Sequence, residues 1–542
     1  MARRAWLRSE GFPADVFDGK PIVGICNSWS EFTNCNAHLR QVAEAVKRGV
    51  LAAGGVPLEF PTISLGEMFM APTTMMFRNL MAMDVEESIR ANPMDAVVLL
   101  CGCDKTTPAQ LMGAASADIP AVVVPGGPML AGQFREQKLG SGTDGRKLFD
   151  LYRTGRLTDE EWSEVEGCIA RTAGHCTVMG TASTMTSLAE ALGMTLPGCA
   201  TIPAPDSRRL AIAELSGRTA VTMVEAERTP SRLLTRDSFE NAITVLMALG
   251  GSTNAVVHLI AIAGRLGIRL TLDDFDRISR RTACIANVKP SGEFLMEDLF
   301  HAGGVPAVMK RISDLLHLNA STVNGQTVGA NIACARSLND SVIRRRDQPL
   351  HEEGGIAILC GNIAPDGAVI KQTAASAHLL QHRGHAFVFE SRDEMLARID
   401  DPGLPIDRDT VLVMRNCGPK GAPGFPEWGH IPIPRKLLEA GVTDMVRISD
   451  ARMSGTSFGT VVLHVAPESA IGGPLAIIQT GDEIVLDVPA RKLNLAMSDA
   501  EIQKRLKRFS APPRHYKRGY GRLFLDHVTQ ANLGCDFDFL QS

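Results

Sequence analysis

The chain has 542 residues, 45% hydrophobic and 21% charged, with a formal net charge of −4. That length corresponds to three or four units of about 150 residues and buries a core without staples. The balance excludes dominant disorder, and the charge gives no footprint of nucleic-acid binding; no apolar run reaches the roughly 18 residues of a membrane span, the longest, 255–263, being broken by His258.

The first 125 residues read as alternating strands and helices. Runs rich in valine and isoleucine at 21–26, 58–63, 96–101 and 121–124 are too short for helices and do not alternate, the pattern of strands buried on both faces. Between them, 38–53 places Leu39, Val42, Val46 and Val50 on one helical face, with Asn36 as N-cap and Gly54-Gly55 as the stop. A shorter helix is predicted over 84–91. The alternation predicts an α/β N-terminal domain with a mostly parallel sheet. Each strand runs into a polar or glycine-bearing loop: Asn27, Ser28 and Cys35; Ser64 and Glu67; Gly102 to Lys105; Gly126-Gly127. Ligands of open parallel sheets lie beyond the carboxyl ends of the strands, so these four loops are predicted to converge.

Residues 130–340 read as mainly helical, with one helix over 178–192. Gly251-Ser252-Thr253-Asn254 precedes the apolar helix 255–266, and its two glycines can leave N–H groups free for an anion. No P-loop lysine follows, which weakens a nucleotide reading. The charged stretch 344–355 is the predicted boundary between domains 1–350 and 351–542. Beyond it come short strands at 356–359, 386–390, 411–414, 445–448, 461–465 and 483–488. Turns such as Pro365-Asp366-Gly367 and Pro419-Lys420-Gly421 separate them, predicting a C-terminal β-barrel-like or sandwich domain.

The stretch 1–17 has arginines but no apolar core, which argues against a secretory signal and predicts a reducing, cytoplasmic setting for the twelve cysteines. None has C-x₂-C spacing, and buried thiols are the plain reading. Three stand out by context: Cys35 just before a helix, Cys103 after a buried strand and before Asp104-Lys105, and Cys176 after Gly174-His175. Cys101, the last residue of its strand, is expected to point into the sheet. Glu67 is a lone acid between Gly66 and Met68, and Glu427 lies in Phe425-Pro426-Glu427-Trp428; such carboxylates suit Mg²⁺. Ser454 follows a strand in Ser449-Asp450-Ala451-Arg452-Met453-Ser454-Gly455-Thr456, where small residues allow close approach of backbone to ligand.

Five stretches carry a resemblance that spans nearly the whole chain: Gly102-Cys103-Asp104-Lys105-Thr106-Thr107-Pro108, Met179-Gly180-Thr181-Ala182-Ser183-Thr184-Met185, Gly250-Gly251-Ser252-Thr253-Asn254-Ala255, Asn416-Cys417-Gly418-Pro419-Lys420-Gly421, and 448–456. With these, the chain resembles the dihydroxyacid dehydratase and 6-phosphogluconate dehydratase family. Ser207-Arg208-Arg209 and the tail 527–540 look like its sugar-acid (aldonate, arabinonate-type) branch. The resemblance implies that Cys35, Cys103 and Cys176 ligate an iron–sulfur cluster, [2Fe–2S] rather than [4Fe–4S] because Cys35 is present. It implies Mg²⁺ at Glu67, Asp104 and Glu427, with Lys105 matching a lysine that is carbamylated in relatives. Ser454 matches the proposed catalytic base, with Thr456 as its neighbour. It further implies a site between an α/β and a β-barrel-like domain in a homodimer or homotetramer. Relatives usually carry a short segment before the part matching Arg4-Ala5-Trp6-Leu7, and contacts made by that segment would be missing here.

The reaction so implied is loss of water from a 2,3-dihydroxy acid: a proton leaves C2, hydroxide leaves C3, and the enol becomes a 2-keto-3-deoxy acid. The expected partner is a small hydroxy-acid substrate, with no nucleic acid and no membrane. A phosphorylated substrate is disfavoured by the lack of a compact basic cluster beyond Arg344–Arg346. Two alternatives stand: dihydroxyacid dehydratase of branched-chain amino-acid synthesis, and an iron–sulfur redox sensor or carrier.

Overall fold

The computed structural model describes residues 2–16 and 18–541; Met1 and Phe17, the ends of the N-terminal stretch read for a signal, lie outside them. Four strands, β1 (Ile22–Asn27), β2 (Val56–Pro61), β3 (Ala96–Cys101) and β4 (Ala121–Pro125), form a wholly parallel sheet in the order β2-β1-β3-β4. β3 and β4 are buried along their whole length, which is why they read as unbroken apolar runs. β2 is the edge strand and starts two residues before the predicted run; its Glu59 faces outward and accepts a 2.7 Å hydrogen bond from Asn27. Cys101 is fully buried in the sheet core, as expected. The chain leaves β1 and β3 toward different neighbours, so the crevice of this sheet opens between their carboxyl ends.

The helix Leu39–Ala52 buries the expected Leu39, Val42, Val46 and Val50. Its N-cap position is His38, not Asn36. Asn36 lies in a preceding 3₁₀ turn, where its amide donates to the Ser28 carbonyl (2.9 Å) and the Ser64 hydroxyl (3.1 Å), tying the loops after β1 and β2 together. The second helix is twice the predicted length, Met75–Ala91. Its first turns carry Arg78 and Asn79, polar residues that break the apolar pattern yet are buried and donate to carbonyls of Gly534 and Cys535. The helices Thr181–Ala191, Ser207–Glu225, Arg236–Leu249 and Asn254–Gly264 build the middle of the chain. Leu39–Ala52 and Ser207–Glu225 cross at glycines: a Cβ on Gly49 would lie 1.9 Å from the Glu214 carbonyl oxygen, and one on Gly217 2.3 Å from that of Val46. A small hairpin, β5 (Gly132–Phe134) and β6 (Gln137–Leu139), follows β4.

The remaining strands form one mixed sheet. They are β7 (Ala357–Leu359), β8 (Ala368–Ile370), β9 (Gln381–Phe389), β10 (Val411–Met414), β11 (Arg447–Ser449), β12 (Val461–Leu463), β13 (Glu483–Asp487) and β14 (Lys492–Leu495). Their order is β14-β13-β9-β10-β11-β12-β8-β7, with β9 to β12 mutually parallel and the outer pairs antiparallel. The two edges meet: the Cys360 N–H donates to the Arg491 carbonyl (3.0 Å) and the Leu493 N–H to the Cys360 carbonyl (3.2 Å), so the sheet curls nearly shut. β8 and β14, three and four residues long, were not foreseen, although β7 and β11, no longer than these, were.

The C-terminal tail returns to the first half. Phe524 and Phe537 pack with Met75, Met76 and Val257, and Arg265 pairs with Asp536 at 2.6 Å with both side chains fully buried. Among the described residues no helix is long and apolar enough to cross a membrane.

Candidate active site

Both sheets present the carboxyl ends of parallel strands to the same space. The chain leaving β3 turns at once into the helix Thr106–Ala117, and Thr106 shapes that turn: its hydroxyl accepts from the N–H groups of Gly102 (3.2 Å) and Cys103 (3.0 Å) and donates to the Cys103 carbonyl (2.9 Å). Gly102 has no room for a side chain, since a Cβ would lie 2.6 Å from the Cys35 carbonyl oxygen. Cys103, Asp104 and Lys105 therefore stand at a fixed corner against the loop that carries Cys35.

Lys105 is the centre of the polar cluster. Its side chain is fully buried, and Nζ lies 3.0 Å from Glu67, 3.1 Å from Glu427 and 3.4 Å from Asp104. Burial opposes its charge, but Glu427 and Glu67 overcome that, and the ammonium is held above its ordinary range. Burial also opposes the ionisation of Glu427, yet Lys105 and Arg452 bring its carboxyl down to about 2. Asp104 goes the other way, to about 6, through burial and the neighbouring carboxylates, although Lys105 pulls it down. Glu67 comes from the loop after β2 and is held by the hydroxyls of Thr73 and Thr74. Asp104 accepts the N–H of Ala182, at the start of the helix Thr181–Ala191.

The barrel-like half supplies the opposite wall. Glu427 lies in the loop after β10, behind a tight bend in which Gly424 and Phe425 both have positive φ (74° and 58°); Gly424 lies against Met76, 2.3 Å from where a Cβ would stand. Glu427 Oε1 accepts from Asn254 (2.9 Å) and Arg452 (2.9 Å) as well as Lys105. Arg452, fully buried, also donates to the Phe425 carbonyl (2.8 Å) and to the Thr73 hydroxyl (3.1 Å), bracing both halves. Ser454 and Thr456 come from the loop after β11. Their hydroxyls are 3.0 Å apart, and Thr143 donates to the Thr456 carbonyl at 2.7 Å. Gly142, Gly180 and Gly455 are pressed against this loop: Cβ atoms there would lie 2.5 Å from Thr456 Oγ1, 2.9 Å from Thr456 Cγ2 and 2.6 Å from the Thr181 nitrogen.

The structure brings the three singled-out cysteines into one neighbourhood. A hydrogen bond with Cys103, burial, and the nearness of Cys103 and Cys176 raise the Cys35 thiol well above its ordinary range. Cys176 is pushed up to about 12 by burial and by Asp104, with Cys103 adding to it. Cys103 is buried, Cys35 and Cys176 are partly buried, and none is in a disulfide. Among the described residues, no three His, Cys, Asp or Glu side chains are already arranged as a metal cage, and the Lys105 ammonium lies within 3.4 Å of all three carboxylates.

Some expectations land elsewhere. The glycine N–H groups before the helix Asn254–Gly264 are not free: Gly250 and Gly251 donate to Met247 and Leu246 and close the preceding helix. What that segment offers the site is the Asn254 amide. Arg209 is a buried brace that donates to the carbonyls of Pro125 (2.7 Å) and Cys199 (2.9 Å). Arg345 and Arg346 are paired with Asp347 and Asp314. Sequence reasoning passed over Arg452, Asn254 and Arg146. Arg146 has a buried Nε with no partner, and Glu427, Cys176 and Asp150 are the acidic groups acting on it. Arg452 and Asn254 lay inside quoted motifs, so the signal for them was position and not type.

The fold thus brings a carboxylate–lysine cluster, three cysteines and a serine loop together between two sheets. Residues 20–331 match the N-terminal domain of dihydroxy-acid/6-phosphogluconate dehydratases, and residues 341–535 match the C-terminal domain. The chain belongs to this family and is a dehydratase, a hydro-lyase. It is 53% identical over 540 residues to L-arabinonate dehydratase of Rhizobium leguminosarum bv. trifolii, covering 99% of this chain and 93% of the relative. It is 50% identical over 547 residues to 6-deoxy-6-sulfo-D-gluconate dehydratase of Pseudomonas putida, covering 100% and 94%. It is 42% identical over 529 residues to dihydroxy-acid dehydratase of Caldanaerobacter subterraneus subsp. tengcongensis, covering 96% and 94%.

Proposed function

We propose that the chain dehydrates a polyhydroxy sugar acid to a 2-keto-3-deoxy acid, using an iron–sulfur cluster and Mg²⁺. The observation that carries the proposal is the meeting of Glu67, Asp104, Lys105 and Glu427 in one buried cluster, with Cys35, Cys103 and Cys176 beside Asp104. The higher identity to an arabinonate dehydratase than to a dihydroxy-acid dehydratase supports the sugar-acid branch. So does the Arg146 guanidinium, a donor without a partner at Nε, which suits extra hydroxyls better than branched methyl groups.

The donor chemistry fits both groups. Three converging cysteine thiols suit a cluster that takes them as thiolates, here [2Fe–2S], whose iron would offset the cost that burial places on their ionised form. Three carboxylates suit Mg²⁺ once Lys105 no longer contributes a positive charge, as a carbamylated Lys105 would ensure. When bound, these groups would supply Lewis acidity at the departing hydroxyl and at the substrate carboxylate. The protein's own residues do the rest. Asn254 and Arg452 fix the Glu427 carboxylate from behind. Ser454 takes the C2 proton, and the Thr456 hydroxyl, 3.0 Å away, and its N–H, 3.4 Å away, hold the serine oxygen as it does so. Phe32, Met68 and Phe69 are 77%, 85% and 72% exposed on the loops carrying Cys35 and Glu67, which supports a homo-oligomer that covers them.

The test is anaerobic reconstitution with iron, sulfide and Mg²⁺. Wild type is expected to bind iron and to form 2-keto acid from polyhydroxy acids; a chain that binds no iron under these conditions contradicts the proposal. Sedimentation in the same buffer is expected to give a dimer or tetramer.

A further inference from the structure

Lys371 follows β8 directly, and its side chain is 1% exposed. Unlike Lys105, it forms no ion pair among the described residues. Its one hydrogen-bond partner is the Gly455 carbonyl, 3.5 Å away. The titratable group acting on it is the buried Cys284 thiol, itself pushed up to about 12 by burial and therefore neutral. An ammonium held this way is unfavourable for folding, and burial brings it down to about 7. The carbonyl it reaches belongs to the peptide between Gly455 and Thr456. The other end of that peptide, the Thr456 N–H, points at Ser454 Oγ, 3.4 Å away. Gly455 lies close against the Thr181 nitrogen and the Ser252 hydroxyl, 2.6 and 2.7 Å from where a Cβ would stand, so only glycine fits there.

We propose that Lys371 is a positioning residue for the proton-abstracting serine: it polarises the Gly455–Thr456 peptide so that the Thr456 N–H stabilises the Ser454 oxygen as an alkoxide. Hydrogen bonds in a chain strengthen one another in a low-dielectric interior, so a cation on the carbonyl makes the amide of the same peptide a better donor. Nothing else in the structure explains a buried lysine without an acid at this position. The inference rests on the reading of Ser454 as the base and adds the group that makes it acidic enough to serve.

The test compares wild type, Lys371→Met, Lys371→Arg and Ser454→Ala in the reconstituted enzyme. In Lys371→Met, kcat is expected to fall roughly tenfold to a hundredfold with little change in KM. In wild type kcat is expected to decline above about pH 7 as Lys371 loses its proton, a limb that Lys371→Met lacks. Lys371→Arg should recover most of the rate. Thermal melts give a readout independent of turnover. Below pH 7 the folded and unfolded chains both carry the lysine proton, so the burial penalty is complete. Between about 7 and the ordinary 10.5 the folded chain sheds it first and stability rises with pH. Lys371→Met should therefore melt no lower than wild type below pH 7, with an advantage that shrinks toward pH 10. A Lys371→Met enzyme with unchanged kcat and pH profile, or one that melts lower and loses iron, overturns the proposal. An inactive Ser454→Ala beside a normal Lys371→Met overturns the lysine alone, whereas turnover surviving in Ser454→Ala removes the serine assignment and the lysine's role with it.

Discussion

The two sheets solve the same problem with different materials. In the first, a wholly parallel sheet ends in short loops whose polar groups are neutralised on the spot: Lys105 is met by three carboxylates, and Asn36 ties two loops together. In the second, only β9 to β12 are parallel, and the long loop after β10 carries the positive-φ residues Asn416 and Phe425. Its buried lysine, Lys371, is left without an acid. On the proposed reading the first half supplies the thiols and two of the metal-binding carboxylates, and the second supplies the third, Glu427, together with Ser454 and Lys371. Rigid, compensated charge suits ligation; uncompensated charge suits a group whose ionisation has to change during the reaction.

That contrast can be broken from either side. The largest effect is expected from Cys103→Ser, which should abolish bound iron and turnover together while the protein stays soluble; normal iron content would remove Cys103 from the ligand set. Ser454→Ala should lower kcat by roughly 10²- to 10⁴-fold while iron content and melting temperature stay at wild-type values. Asn254→Ala removes a donor to Glu427 without touching the metal-binding carboxylates, so Mg²⁺ activation should require roughly 10- to 100-fold more Mg²⁺ with the iron unchanged. The contrast is sharpened by the tail. Asp536→Ala takes the 2.6 Å carboxylate from buried Arg265, which keeps Glu86 at 3.3 Å, and should destabilise the chain by about 1–3 kcal/mol in denaturant melts. Because the tail packs on the first half, the N-terminal sheet should lose its protection from hydrogen exchange before the barrel does.

The same contrast explains what could be read in the sequence. β1, β3 and β4 and the helix after β1 were visible because burial on both faces or on one face leaves an unambiguous pattern. The first three turns of the helix Met75–Ala91 were hidden because Arg78 and Asn79 are polar yet buried, satisfied by carbonyls 456 and 457 residues away. β8 and β14 went unread although β7 and β11 are no longer, and the near-closure of the second sheet, which depends on one bridge at Cys360, went unread with them. The convergence of the loops bearing Cys35, Glu67 and Asp104 followed from the parallel sheet alone. That Glu427 would meet Lys105 did not, since 322 residues separate them and only the resemblance joined them. Arg146 and Lys371 left no signal, because a single basic residue does not reveal whether it will be exposed, paired or buried alone.

The most direct measurement is turnover. The protein, purified without oxygen and supplied with Mg²⁺, would be assayed for 2-keto acid formation from glycerate, pentonates, hexonates and 2,3-dihydroxyisovalerate. The account predicts product from one or more of the pentonates and hexonates and none from dihydroxyisovalerate. Product from dihydroxyisovalerate alone, or none from any acid with iron and sulfide bound, would contradict it.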